Sequence, residues 1–168
     1  GIDDRLVHSF YAKNVDLENF DKTMASLGKI IEGTLNEKLL FQDAKILLEE
    51  TNNRGWTSAC VSASPYELLK NKLIKANIFD YFSYVIGGDQ VERNKPYPDI
   101  YNKAISELQT TKNIVIEDSP PGISSGKASG SFVVAIDRGI FSKNELNKAD
   151  LVIDKLSIDV LEKVLNSL

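Results

Sequence analysis

Cysteine, histidine, methionine and tryptophan each occur once in this 168-residue chain, and that scarcity removes several chemistries at the outset. The single cysteine, Cys60, excludes an intramolecular disulfide, and with the lone His8 it cannot assemble a zinc site. There is no run of five or more Lys/Arg residues, and the net charge is −4. Neither nucleic acid nor an anionic membrane is therefore expected as the main partner, although a local basic site around a phosphate stays compatible with the composition. No stretch of 18 or more apolar residues and no charged-then-apolar leader occurs, which makes a soluble cytoplasmic protein the expectation. Internal repeats and low-complexity tracts are also missing. What is present is 42% hydrophobic content, enough to bury one core with a small satellite domain.

The apolar residues change period along the chain. Leu6, Phe10 and Tyr11, then Leu17, Phe20, Met24, Leu27 and Ile31, repeat at helical spacing, and no strand signal accompanies them. Gly33 and the polar residues 34–38 read as a connection. Leu40, Phe41, Ala44, Leu47 and Leu48 then form the stripe of a helix ending near Asn52-Asn53-Arg54-Gly55. From Trp56 onward short apolar runs, 56–61, 84–86, 113–116, 132–136 and 151–153, alternate mostly with amphipathic helices. That alternation predicts an α/β fold with a parallel sheet.

In such a sheet ligands bind beyond the carboxyl ends of the strands, so the residues after each run carry the functional information. The first run is followed by Ser62, Ala63 and Ser64. Ser64-Pro65-Tyr66-Glu67 reads as a helix start with Ser64 as N-cap. That leaves the Ser62 hydroxyl and neighbouring backbone N–H groups free to face an anion. Lys95 lies in Asn94-Lys95-Pro96-Tyr97-Pro98-Asp99, where two prolines stiffen the loop, so its ammonium is a placed point charge suited to a phosphoryl oxygen. The third run ends in Glu117-Asp118, adjacent carboxylates that need a cation or hydrogen bonds directly after a buried strand. Mg²⁺ suits that place, since it takes one or two carboxylates, keeps waters and bridges to phosphate. Because side chains alternate along a strand, one acid faces the ligand, and the other can orient waters or Lys95. His8 reads as a packed or surface histidine, Cys60 as a small hydrophobe inside a strand, and Trp56 as packing at the strand's start.

The order and spacing of the three segments resemble those of the haloacid dehalogenase superfamily of phosphotransferases, in the branch with a helical cap inserted early in the chain. The resemblance covers essentially the whole sequence. It implies a partial helical cap over residues 1–38 and a Rossmann-like core over 39–168. It also implies that Ser62, with Ala63, is the phosphate-binding second motif, that Lys95 is the catalytic lysine of the third, and that Glu117-Asp118 is the acidic fourth, Asp118 being the Mg²⁺ ligand. The stretches Lys95 to Asp99 and Glu117-Asp118-Ser119-Pro120-Pro121-Gly122-Ile123 are similar to the phosphoglycolate phosphatase and β-phosphoglucomutase group.

One family element has no counterpart here. The first motif is an apolar strand ending in Asp-x-Asp, whose first aspartate attacks phosphorus and whose second is the acid/base. The early candidates in this sequence, Asp3-Asp4, are adjacent and follow no strand. The resemblance implies that the strand lies upstream, on the same polypeptide or as a separate fragment, and that it would occupy the centre of the sheet between the strands ending at Ser62 and Glu117. The function implied is magnesium-dependent phosphoryl transfer on a small phosphorylated metabolite, foremost as a phosphatase, with these 168 residues alone inactive. A β-phosphoglucomutase-like mutase is the alternative, although Asp3-Asp4 and Pro65-Tyr66 replace the Ser-Arg and Lys-Asn of that subgroup. A non-catalytic binding protein of the same fold is the third reading.

Overall fold

The change of period at Trp56 marks the entry into the sheet. In a computed structural model of the chain the structure describes residues 19, 22, 23, 26, 29, 30 and 40–168. In the early segment Lys22, Thr23, Ser26, Lys29 and Ile30 are helical, and Asn19 Oδ1 accepts the Lys22 N–H at 3.1 Å as an N-cap would. The remainder of the expected cap over 1–38, His8 and Asp3-Asp4 included, lies outside the described residues.

The core runs α1 (Gln42–Asn53), β1 (Ala59–Val61), α2 (Tyr66–Lys75), β2 (Tyr84–Ile86), α3 (Asp99–Leu108), β3 (Ile114–Glu117), α4 (Pro120–Ala128), β4 (Phe132–Ile136), α5 (Lys143–Leu146), β5 (Leu151–Ile153) and α6 (Ile158–Ser167). Every strand pairing is parallel. The strands β2, β4 and β5 have the boundaries that their apolar runs predict, whereas β1 starts three residues later than the run from Trp56 does. Val133 and Ala135 of β4 pack with Ile100, Tyr101 and Ile123 of α3 and α4. Val134 between them packs with Leu47 of α1 and Ile158 and Leu161 of α6. Helices thus cover both faces of the sheet, and the alternation of side chains along β4 assigns each residue to its face.

The sheet is split. Among the described residues β1 pairs only with β2, while β3, β4 and β5 form a separate sheet in that order. β1 and β3 do not pair with each other. Between them runs a cleft of about 640 Å³ whose walls include Ala59, Cys60 and Val61 on one side and Ile114, Val115 and Ile116 on the other. All three β1 residues are only half-buried, whereas Val133 to Ile136 of β4, which has a strand on each side, are buried. The edges of β1 and β3 that border the cleft are therefore strand edges without strand partners among the described residues, and apolar side chains line the cleft between them.

Candidate active site

The carboxyl ends of β1 and β3 and the loop before α3 converge at one mouth of this cleft. There Ser62, Ala63, Ser64, Lys95, Glu117, Asp118 and Ser119 line a cavity of about 390 Å³, together with Phe41 and Arg138. Each residue singled out at a strand end is present.

After β1 the chain makes a tight turn in which Ser62 Oγ accepts the Ser64 N–H at 3.1 Å. The Ser62 hydroxyl proton has no acceptor among the described residues, and neither has the Ala63 N–H, so both donors are available to an anion. The expectation that Ser64 caps α2 is corrected: the N-cap is Pro65, with no side-chain cap of its own. The first-turn amide of Tyr66 donates instead to Asp89 Oδ1 at 2.8 Å, from the turn after β2. That cap comes from 23 positions away in sequence, beyond the reach of a local pattern. Gly88 in the same turn must lack a side chain, because a Cβ there would lie 2.1 Å from Asn94 Nδ2 and 2.5 Å from the Ala63 carbonyl oxygen. Asn94 Nδ2 donates to that same carbonyl at 3.0 Å, which ties the Ser62 turn to the loop carrying Lys95.

Lys95 spans the mouth of the cleft. Its Nζ donates to the Val61 carbonyl at the end of β1 (3.0 Å) and to Glu117 Oε1 at the end of β3 (2.5 Å). An ammonium has three N–H donors, so one remains for a ligand oxygen. Further side-chain contacts hold the lysine loop. Arg93 makes a bidentate pair with Asp99 at 3.0 and 2.8 Å, and the fully buried Ser125 of α4 donates to the Tyr97 carbonyl at 2.6 Å.

The two acids have different surroundings. Glu117 is buried and both its oxygens are engaged: Oε1 accepts from Lys95 and from the Tyr101 phenol (2.5 Å), and Oε2 accepts from Ser119 Oγ at 3.2 Å. The ring of Tyr101 also lies 4.9 Å from Lys95 Nζ. Burial, and then the neighbouring Glu117, push the Tyr101 phenol far above its ordinary value, so it stays a donor. Gly122 makes room for this carboxylate, since a Cβ there would sit 2.0 Å from Glu117 Cδ. Asp118, by contrast, is exposed and makes no hydrogen bond or ion pair with a described residue. Among the described residues no three His, Cys, Asp or Glu side chains cluster to hold a metal on their own. Of the two acids lining this cavity, Asp118 is the one without a partner among the described residues, and Glu117 is the partner of Lys95.

The sequence reading missed Tyr101, Ser119, Ser125, Phe41 and Arg138 as parts of the site or of its supports. Tyr101 follows Ile100 and precedes Ala104 on the buried side of α3, which is a helical-spacing signal for burial but none for a carboxylate at its hydroxyl. Cys60 behaves as expected, since burial pushes its thiol up to about 11 and leaves it a neutral hydrophobe rather than a nucleophile.

The chain is similar to known proteins in sequence and in fold. The chain is 39% identical over 84 residues to a bifunctional riboflavin kinase/FMN phosphatase of Arabidopsis thaliana, a match covering 49% of this chain and 22% of that protein. It is 29% identical over 132 residues to a phosphoglycolate phosphatase of Vibrio vulnificus, covering 76% of this chain and 58% of that one. The chain thus spans less than two thirds of the length of both curated relatives. A crystal structure of β-phosphoglucomutase from Clostridium difficile superimposes with a TM-score of 0.79 at 20% identity, over 95% of this chain and 73% of that one, which is a likeness of fold. Residues 5–136 match the family model described as haloacid dehalogenase-like hydrolase, and the chain belongs to that family.

Proposed function

We propose that this protein is a phosphatase of small phosphorylated metabolites, acting at the mouth of the cleft between β1 and β3. The observation that carries this reading is Lys95. Its ammonium is held between Val61 and Glu117 with one N–H to spare, beside the free Ser62 O–H and Ala63 N–H, a donor set fit for the three oxygens of a transferring phosphoryl group.

In this reading the nucleophile is a carboxylate at the end of an extended segment that enters the cleft, pairs with β1 and β3 and completes one continuous sheet. Support comes from the split between β1 and β3, the apolar walls of the cleft and the site at one end. A carboxylate oxygen attacks phosphorus, the P–O bond to the organic group breaks, and the departing oxygen takes a proton from an acid of the same segment. Water then attacks the phosphorus of the acyl phosphate, releasing inorganic phosphate and restoring the carboxylate. Ser62, Ala63 and Lys95 bind and neutralise the phosphoryl oxygens, and Glu117 keeps Lys95 in place.

Mg²⁺ fits the acids present. Asp118 is a free hard oxygen ligand beside the phosphate donors, and Glu117 lies next to it, already engaged by Lys95. When bound there, the ion supplies Lewis-acid neutralisation of phosphoryl charge. We place the protein in the cytoplasm. Among the described residues no helix is long and apolar enough to cross a membrane. Phosphatase ranks ahead of mutase because Pro65-Tyr66 follows Ser64, and Pro65 presents no side-chain donor to a second phosphate.

The test is phosphate release from an aryl phosphate by the complete protein, with Mg²⁺ and after chelation by EDTA. Saturable release that EDTA abolishes and Mg²⁺ restores is expected. Release unchanged by EDTA would contradict the metal assignment, and no release with Mg²⁺ would contradict the phosphatase reading.

A further inference from the structure

The cavity at the mouth of the cleft has a second cationic wall that phosphoryl transfer does not use. Arg138 lies beyond the end of β4, three residues after Ala135, which pairs with Glu117 across the sheet. It therefore stands one strand away from Asp118, on the side opposite β1. Its Nη2 donates to Asp43 Oδ1 at 2.9 Å, and its guanidinium lies 4.2 Å from the centre of the Phe41 ring. The other oxygen of Asp43 accepts the Leu156 N–H at 3.0 Å, so the carboxylate is anchored to the backbone at the start of α1 and before α6. Stacking on Phe41 fixes the plane of the guanidinium and Asp43 fixes its rotation, while its side chain is only 16% exposed.

A purely structural tie leaves most of this group unexplained. The pair with Asp43 consumes one of five N–H donors, and no other acceptor for Arg138 exists among the described residues. No buried side-chain nitrogen or oxygen among those residues lacks a partner, so the remaining Arg138 donors reach solvent, and the cavity that Arg138 lines is shared with Lys95, Ser62 and Asp118. A rigid, partly desolvated guanidinium with free donors is a fork for an oxyanion.

We infer that Arg138, stacked on Phe41, binds a second anionic group of the substrate, a carboxylate or a second phosphate, at the end of the molecule away from the transferring phosphoryl group. This assignment rests on the phosphatase reading for which end reacts, but the anion site itself does not depend on turnover.

The experiment therefore measures binding and turnover separately in the complete protein. Dissociation constants are obtained by calorimetry in metal-free buffer for 2-phosphoglycolate, for ethylene glycol bisphosphate and for 2-hydroxyethyl phosphate, which lacks a second anion. Arg138→Gln is expected to weaken the first, the second or both by about 10- to 100-fold while leaving 2-hydroxyethyl phosphate within about twofold. Whichever ligand loses more identifies the anion as carboxylate or phosphate. Arg138→Lys should recover part of the loss. Asp43→Asn, which keeps the guanidinium but removes its counter-charge, should bind the doubly anionic ligands at least as tightly as wild type. Equal weakening of all three ligands in Arg138→Gln, no weakening of any, or weakening of the anionic ligands by Asp43→Asn to the same degree as by Arg138→Gln would overturn the inference. If Arg138-dependent binding holds while an aryl phosphate is not hydrolysed with Mg²⁺, the anion site stands and the phosphatase reading falls.

Discussion

Lys95→Met in the complete protein is expected to reduce phosphoryl transfer by about 1,000-fold or more, and it should also destabilise the fold. The two effects have different origins and can be separated. The Lys95 and Glu117 side chains are each only 7% exposed, so removing the cation strands a buried carboxylate, at a cost of about 3–5 kcal/mol. Adding Glu117→Gln removes that stranded charge; the amide oxygen can still accept from the Tyr101 phenol, while the amide NH2 faces Ser119 Oγ and donates to it. The double variant should regain most of the thermal stability and none of the activity. Lys70 and Lys103 lie on α2 and α3, and alanine at either should leave turnover within about twofold. Activity that recovers together with stability in the double variant would make Lys95 a structural cation.

Asp118→Asn should show the opposite balance. The carboxylate is exposed and has no partner among the described residues, so the change in stability should stay within about 0.5 kcal/mol. Turnover with Mg²⁺ should nonetheless become undetectable, because the free carboxylate beside the phosphate donors is lost while Glu117 stays committed to Lys95. A thermal melt and an aryl-phosphate assay on the same sample decide the point. Normal turnover by Asp118→Asn would move the metal site elsewhere.

The adjacent acids, so alike in sequence, show how far local pattern reaches. The alternation of side chains along a strand indicates that one acid turns inward and the other outward, and the structure assigns Glu117 to the interior and Asp118 to the cavity. What completes the Glu117 pocket lies elsewhere in the chain: Lys95 is 22 positions away and Tyr101 is 16. Neither distance has a periodic signature. The same holds for Asp89 capping α2 and for Arg138 reaching Asp43 across 95 positions. Strand positions were legible because apolar runs and helix periods are local, and the ligand end of the sheet followed from topology alone. The split between β1 and β3 was legible only through family resemblance, since nothing within either apolar run tells which neighbour it pairs with. The structure agrees with that expectation in one respect that pattern could not supply: the two strands stay apart, with Lys95 bridging their ends.

The proposed reading puts the chemistry at the end of the cleft beside that bridge, and its most direct test is to find whether, and on which carboxylate, a phosphoryl group is accepted. The complete protein, quenched during turnover of an aryl phosphate and reduced with borohydride, converts an acyl phosphate into an alcohol that peptide mass spectrometry can locate. The expected result is one modified aspartate outside residues 40–168, in a segment whose preceding residues cross-link to β1 and β3, with no modification at Glu117 or Asp118. Modification of Asp118, or steady turnover with no trapped acyl phosphate anywhere, would contradict a cleft that admits a strand bearing the nucleophile.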